Sequence, residues 1–150
     1  MPPRIAALRA EDRPAWELLA RGYKAFYHTP TTDAEYETAW NRLLAQDGVF
    51  GLGAFVDGQL VGIAHYLFHT GTWAQTICHL QDLFTLPAAR GKGVARALIE
   101  AVAAQARARG ATRYYWHTQE HNAGARALYD KVARYAGFIR YDYALRQTGG

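Results

Sequence analysis

The sequence predicts a mixed α/β (α+β) fold, a central mixed β-sheet flanked by helices in the order β-αα-β-β-β-α-β-α-β. Three observations predict it. Apolar residues recur at helical spacing in several stretches and crowd into β-branched and aromatic runs in others. An Asp57-Gly58 pair separates two of those runs, which reads as a hairpin. A further strand-like run leads through a glycine-bearing turn into an apolar-striped helix, the mark of a helix packed on a sheet. At 150 residues, half of them hydrophobic, the chain has the size of one domain with one core. No repeat, low-complexity tract or Pro/Ser-rich linker divides it, so residues 1–150 are read as a single domain.

Each element has its own signal. A short strand is expected near Ile5 to Leu8. Glu11-Asp12-Arg13-Pro14 then opens a first helix running to about Phe26, with acids in the first turn and a proline tolerated there. Thr32-Asp33 caps a second helix, in which Tyr36, Ala39, Trp40, Leu43 and Leu44 share a face. Val49 to Val56 and Leu60 to His69 are the hairpin strands. Thr76 to Leu86 is a third, stopped by Pro87. The long helix from Gly93 to Arg109 carries the stripe Ala95, Leu98, Ile99, Val102 and Ala106, and Gly110 supplies its stop. A strand from Thr112 to Thr118, a helix from Asn122 to about Arg134 and a last strand from Phe138 to Leu145 complete the order.

Composition narrows the class of protein. No run of about eighteen apolar residues suggests a membrane span, and Met1-Pro2-Pro3-Arg4 lacks a secretory signal's apolar stretch, so a soluble, cytoplasmic protein is expected. Cys78 is the only cysteine, which excludes an intrachain disulfide and a cysteine-rich zinc site. The formal charge of +4 and pI near 9.3 favour an anionic partner. Arg90, Lys92, Arg96, Arg107, Arg109, Arg126, Lys131 and Arg134 are scattered rather than blocked, which argues against a nucleic-acid tail.

The most informative stretch is Asp82-Leu83-Phe84-Thr85-Leu86-Pro87-Ala88-Ala89-Arg90-Gly91-Lys92-Gly93-Val94-Ala95. Amides at a helix start have no partner within the helix and carry the positive end of its dipole, so they bind phosphate. Gly91 and Gly93 let a phosphate approach the backbone, and Arg90 and Lys92 add charge. A bare Gly-x-Gly is equally compatible with an ordinary flexible helix start. Two other phosphate motifs do not fit: Gly91-Lys92 lacks the Ser or Thr of a P-loop, and Arg96 stands where a Rossmann fingerprint needs its third small residue.

Arg90-Gly91-Lys92-Gly93-Val94-Ala95 resembles the Arg/Gln-x-x-Gly-x-Gly/Ala signature of the GNAT superfamily of N-acetyltransferases, in a similar order of elements over nearly the whole chain. The resemblance implies acetyl-CoA as cosubstrate. It places the pyrophosphate on the backbone of Arg90, Gly91, Lys92, Gly93, Val94 and Ala95 and the pantetheine arm on Leu83, Phe84 and Thr85. A second segment, Asn122-Ala123-Gly124-Ala125-Arg126-Ala127-Leu128-Tyr129, resembles the family's Asn-x-x-Ala-x-x-x-Tyr and is followed by Gly137-Phe138. Asn122, Ala125 and Tyr129 fall on one helical face, with about 10 Å between first and last. Alone, Asn122 reads as a helix N-cap and Tyr129 as a core tyrosine. Beside the first motif they join the cofactor-binding set.

Acetyl transfer to an amine needs a neutral amine, a donor for the carbonyl oxygen and a proton source for the departing thiolate. A backbone N–H of Leu83 or Phe84 is the candidate donor, and Tyr129 resembles the family's general acid. The run His79-Leu80-Gln81-Asp82 is similar to a Leu-Glu-Asp run of polyamine-type enzymes, with Gln81 where the Glu stands. Glutamine takes no proton at neutral pH, which leaves Asp82, His79, His117 or a water chain as the base. Strand alternation sends Gln81 and Asp82 to opposite faces, and Asp82 fits a structural carboxylate as well as a catalytic one. Cys78 lies roughly 16 Å from Leu83 along an extended strand, too far for an acyl-cysteine. His117 and His121 straddle a strand end and a loop with no third ligand, so no metal is expected. The tryptophans, Trp16, Trp40, Trp73 and Trp116, read as core or interface groups. Tyr23, Phe26, Tyr27 and His28 are candidates for an acceptor pocket.

Leu128 to Ala133 and Gly137 to Tyr141 resemble the histone and polyamine acetyltransferase-like branch, whose members often pair through C-terminal strands. That implies a homodimer and a primary amine as acceptor: a small-molecule amine, an amino acid or a protein lysine. Gln81 motivates the alternative, a catalytically weak coenzyme A-binding or nucleic-acid-binding regulator with the same fold.

Overall fold

The computed structural model describes residues 2–146. Contacts group the chain into two units, Met1–His117 and Thr118–Gly150. In the first, β1 (Arg4–Ala7) leads to α1 (Arg13–Phe26) and α2 (Asp33–Ala45), then β2 (Phe50–Val56), β3 (Gln59–His69), β4 (Ile77–Thr85), α3 (Val94–Ala108) and β5 (Arg113–Tyr115). The strands form one sheet in the order β1-β2-β3-β4-β5. Neighbours run antiparallel except β4 and β5, which are parallel. A parallel pair cannot be closed by a hairpin, and α3 is the crossover that joins it.

Local chemistry sets the element ends. Thr32 Oγ1 accepts from the Glu35 N–H at 3.1 Å while Glu35 Oε1 accepts from the Thr32 N–H at 3.0 Å, a capping box that starts α2. Asp57 and Gly58 both take positive φ, 52° and 76°, the type I′ geometry that matches strand twist in a two-residue hairpin. At the end of α3 the Ala111 N–H reaches the Ala106 carbonyl at 2.9 Å and the Gly110 N–H reaches that of Arg107 at 3.0 Å. This is a Schellman closure, for which Gly110 adopts a φ of 74°.

The two sheet faces are covered by different helices. Ile63 packs with Trp16, Leu19 and Ala20 of α1 and with Tyr36, Trp40 and Leu43 of α2. On the opposite face, a Cβ added at Gly62 would lie 2.7 Å from Val94 and 3.1 Å from Leu98 of α3, so this strand glycine lets α3 approach closely. Leu98 and Val102 are fully buried there. Trp16 and Trp40 are core residues as expected, whereas Trp73 is 96 % exposed.

Two irregularities shape the sheet beside β4. His65 pairs with Asp82 and Tyr66 with Leu80, leaving Gln81 as the extra residue of a bulge. The β4–β5 ladder comprises only Ile77↔Arg113, Cys78↔Tyr114 and His79↔Tyr115. The strand expected over Thr112 to Thr118 is correspondingly short, and β4 beyond His79 has no strand on that side among the described residues.

In the second unit, α4 (Ala123–Val132) is the only regular element among the described residues. The strand expected from Phe138 to Leu145 is absent: residues 134–146 carry neither helix nor ladder. The reason is physical, since a strand exists only where another strand takes up its hydrogen bonds. Its pattern remains visible, with Ile139, Tyr141, Tyr143 and Leu145 alternating and each at least 70 % exposed.

Candidate active site

The turn before α3 is built from two left-handed glycines. Gly91 and Gly93 have φ of 77° and 80°, with Lys92 between them on the ordinary side. Alternating signs of φ make successive amides converge into a concave nest that suits an anion. A Cβ added at Gly91 or Gly93 would meet no atom within 4 Å, so backbone conformation rather than crowding selects glycine, and the space above the turn is open. Gly93 is the N-cap of α3, which leaves the first amides of the helix to an outside acceptor. Lys92 is exposed. The Arg90 side chain turns back, its Nε donating to the Thr85 carbonyl at 3.3 Å and its guanidinium lying 5.7 Å from the Phe84 ring centre. Pyrophosphate chemistry fits these residues.

The strand leading into this turn offers an edge. Because β5 pairs with β4 only as far as His79, no strand among the described residues lies along Leu80 to Thr85 on the side away from β3. An extended chain with amide groups, such as a pantetheine arm, can take the place of the missing strand. Leu83 and Phe84 are half-buried along this edge and Thr85 is buried, with its hydroxyl unpaired among the described residues.

Asp82 lies on the α1 face of the sheet within a connected polar group. Its Oδ2 is 2.9 Å from His65 Nδ1, and the Trp16 indole N–H donates to His65 Nε2 at 3.0 Å. Burial pushes the Asp82 carboxyl up, whereas the hydrogen bond from His65, a hydrogen bond from Tyr23 and the charge of Lys24 pull it down, and the net direction is down. Asp82 is therefore held below its ordinary pKa and is a carboxylate at neutral pH. Around it stand aromatic rings. Tyr23 is 4.9 Å from Tyr27 and meets Phe84 edge-on at 6.5 Å. Tyr27, half-buried, has its phenol pKa raised by burial and by the charge of Asp82. Gly22 allows this packing, since a Cβ there would lie 2.9 Å from the Phe84 ring.

The bulge corrects the expected alternation: Gln81 is the extra residue and is exposed, while Asp82 keeps its place opposite His65. Of the other candidates, His79 stacks on Tyr115 at 4.6 Å and lies 5.5 Å from His117. Burial lowers the His79 pKa, opposed by its contact with the Tyr115 carbonyl and reinforced by His117 and His69. Cys78 is fully buried, and burial drives its thiol up to about 11, which makes it inert near neutral pH. Among the described residues no three His, Cys, Asp or Glu side chains are grouped to hold a metal.

Asn122, Ala125 and Tyr129 belong to the second unit. Asn122 is the N-cap of α4 by position but makes no side-chain cap; its Nδ2 donates to Thr118 Oγ1 at 3.3 Å. Ala125 and Tyr129 are half-buried on α4. Sequence reasoning missed His65 and read Trp16 only as a core or interface group. The one available signal was a histidine in a strand otherwise apolar from Leu60 to Phe68.

The chain matches the acetyltransferase (GNAT) family over residues 8–133. It is 34 % identical over 133 residues to the D-amino-acid N-acetyltransferase of Saccharomyces cerevisiae, covering 86 % of this chain and 83 % of that protein. It is also 34 % identical over 153 residues to an uncharacterized N-acetyltransferase of Escherichia coli K12, covering 98 % and 88 %. Among solved structures, AAC(6')-Iy in complex with the bisubstrate analog CoA-S-monomethyl-acetylneamine superimposes with a TM-score of 0.84 at 20 % identity, over 96 % of this chain and 98 % of that one. At that identity the likeness is one of fold. No helix among the described residues is long and apolar enough to cross a membrane.

Proposed function

The chain belongs to the GNAT family of acetyltransferases, which use acetyl-CoA, and on that premise we propose that it acetylates a primary amine directly, with Asp82 meeting the acceptor. The observation that carries this reading is the ionised Asp82 carboxylate among Tyr23, Tyr27 and Phe84, on the strand whose free edge leads to the Gly91–Gly93 turn. An aliphatic amine reaches the enzyme as an ammonium ion. A carboxylate attracts it and aromatic faces favour it further. The similar yeast enzyme is named for an amino-acid acceptor, which also carries a primary amine.

The acetyl thioester supplies the electrophile. Backbone amides of Arg90, Gly91, Lys92, Gly93, Val94 and Ala95 hold the pyrophosphate, with Lys92 adding charge. The free edge of Leu83, Phe84 and Thr85 aligns the pantetheine arm, and an N–H of Leu83 or Phe84 donates to the thioester carbonyl as negative charge grows on its oxygen. Asn122 and Ala125 contribute to the same cofactor set, and Tyr129 gives its phenolic proton to the leaving thiolate. With its pKa depressed, Asp82 is a weak base and a strong anchor. It orients the ammonium, whose proton leaves through water or a neutral imidazole such as His79.

We further propose a cytoplasmic homodimer, supported by the exposed apolar alternation of Ile139, Tyr141, Tyr143 and Leu145. The deciding experiment is calorimetric binding of acetyl-CoA coupled to thiol release over polyamines, D- and L-amino acids and lysine peptides. Binding with thiol release on one amine class is the expected result. Tight binding without turnover on any amine would instead indicate a coenzyme A-binding regulator.

A further inference from the structure

We propose that His65 is a positioning residue for Asp82, held by Trp16 as the neutral tautomer with its proton on Nδ1. The logic follows from donors and acceptors. An indole nitrogen only donates, so the Trp16 N–H at 3.0 Å requires His65 Nε2 to present a lone pair. The ring's one remaining proton is then on Nδ1, which is 2.9 Å from Asp82 Oδ2 and donates to it. Trp16 is 1 % exposed and packs 5.0 Å from Trp40 in the core, so the indole cannot swing away without opening the α1–α2 face of the sheet. The side chain of His65 is 11 % exposed. A rigid core residue thus fixes an imidazole, and the imidazole fixes one oxygen of the Asp82 carboxylate.

This arrangement has a chemical use. If His65 became an imidazolium, it would neutralise Asp82 and weaken the attraction for an incoming ammonium. With Nε2 capped, His65 steadies the carboxylate through a hydrogen bond and leaves its negative charge for the acceptor. The other groups that act on Asp82 are Tyr23 and Lys24 of α1, Tyr27 just beyond it and His79 on its own strand. Of these only Tyr23 also hydrogen-bonds the carboxylate, and it does so from α1 rather than from β3. This inference rests on the reading that Asp82 meets the acceptor.

Three variants and one spectrum test it. Asparagine places an amide N–H near the position of Nδ1, whereas glutamine reaches toward Nε2. His65→Asn therefore keeps the donor to Asp82, and His65→Gln keeps only a contact with Trp16. The expected result is a rise of about tenfold in acceptor KM for His65→Gln, from loss of a hydrogen bond to a charged group, and a much smaller rise for His65→Asn. Trp16→Phe removes the donor to Nε2 and with it the constraint on which ring nitrogen carries the proton, so its acceptor KM should rise toward that of His65→Gln. In the unmodified protein, long-range 15N correlation at neutral pH should show His65 protonated at Nδ1 and bare at Nε2. A proton on Nε2, or equal KM changes in the two His65 variants, would overturn the proposal. Asp82→Asn measured alongside separates the two readings: an unchanged acceptor KM in it removes Asp82 from the acceptor site and the inference with it. A raised KM in Asp82→Asn beside an unchanged one in His65→Gln sinks the inference alone.

Discussion

Single residues carry the sharpest chemistry. Tyr129→Phe removes the hydroxyl proposed to protonate the leaving thiolate, so turnover should fall at least about tenfold while acetyl-CoA affinity by calorimetry stays nearly unchanged. An unaltered rate removes Tyr129 from the mechanism. Cys78 makes the opposite case. Buried and with its thiol raised to about 11, it offers almost no thiolate at pH 8, so iodoacetamide should leave the folded enzyme fully active. Rapid stoichiometric inactivation would revive an acyl-cysteine route. Asp82 has a definite pH sign. Its folded pKa lies below that of a free aspartate, about 3.9. The stability that its ionised form adds is present above that value and is lost as pH falls through the lower folded one. Between about pH 5 and 8 the carboxylate is fully ionised and contributes no limb to the kcat/KM profile. An acid limb in that range that vanishes in Asp82→Asn would contradict the pKa direction.

At the scale of elements, what was legible in the sequence is what depends on a few neighbouring residues. The Thr32 cap of α2, the Asp57-Gly58 hairpin and the Gly91-Lys92-Gly93 turn are local devices, and each stands where its residues indicate. Features set by register were not legible. The bulge at Gln81 exists because β3 pairs past it, and His65 meets Asp82 across 17 residues and Trp16 across 49. Gly62 shows the same limit: in sequence it only weakens a strand, whereas in the sheet it seats the first turns of α3 through Val94 and Leu98. The turn supplies this scale's prediction. An alanine at Gly93 must hold a φ of 80° at a cost of about 1–2 kcal/mol, and relieving it misaligns the amides at the start of α3. Gly93→Ala should therefore raise acetyl-CoA KM by roughly tenfold or more while acceptor KM changes little. Equal affinity for acetyl-CoA in the variant would place the pyrophosphate elsewhere.

For the whole molecule, the sequence supplied the sheet, the helices and the family motifs, and it failed at the last strand, expected over Phe138 to Leu145. Phe138 to Leu145 has the period of a strand, with Ile139, Tyr141, Tyr143 and Leu145 on alternate positions and an Arg140–Asp142 ion pair between them. No ladder forms there among the described residues. Four large apolar side chains exposed in alternation are the pattern of a strand whose partner is missing, and contiguous exposed apolar surface of this kind marks an interaction site. A second copy of the chain offers the same segment, so two can pair about a twofold axis with each supplying the other's ladder. Light scattering after size exclusion should give a mass of twice 16.7 kDa. Tyr141→Asp with Tyr143→Asp should shift it to the monomer, because like charges facing one another across a strand pair destabilise it. The charges fall on exposed side chains, so the monomer should keep its helical circular dichroism. A parent protein that is monomeric at micromolar concentration would refute the dimer and leave the exposed alternation to another partner.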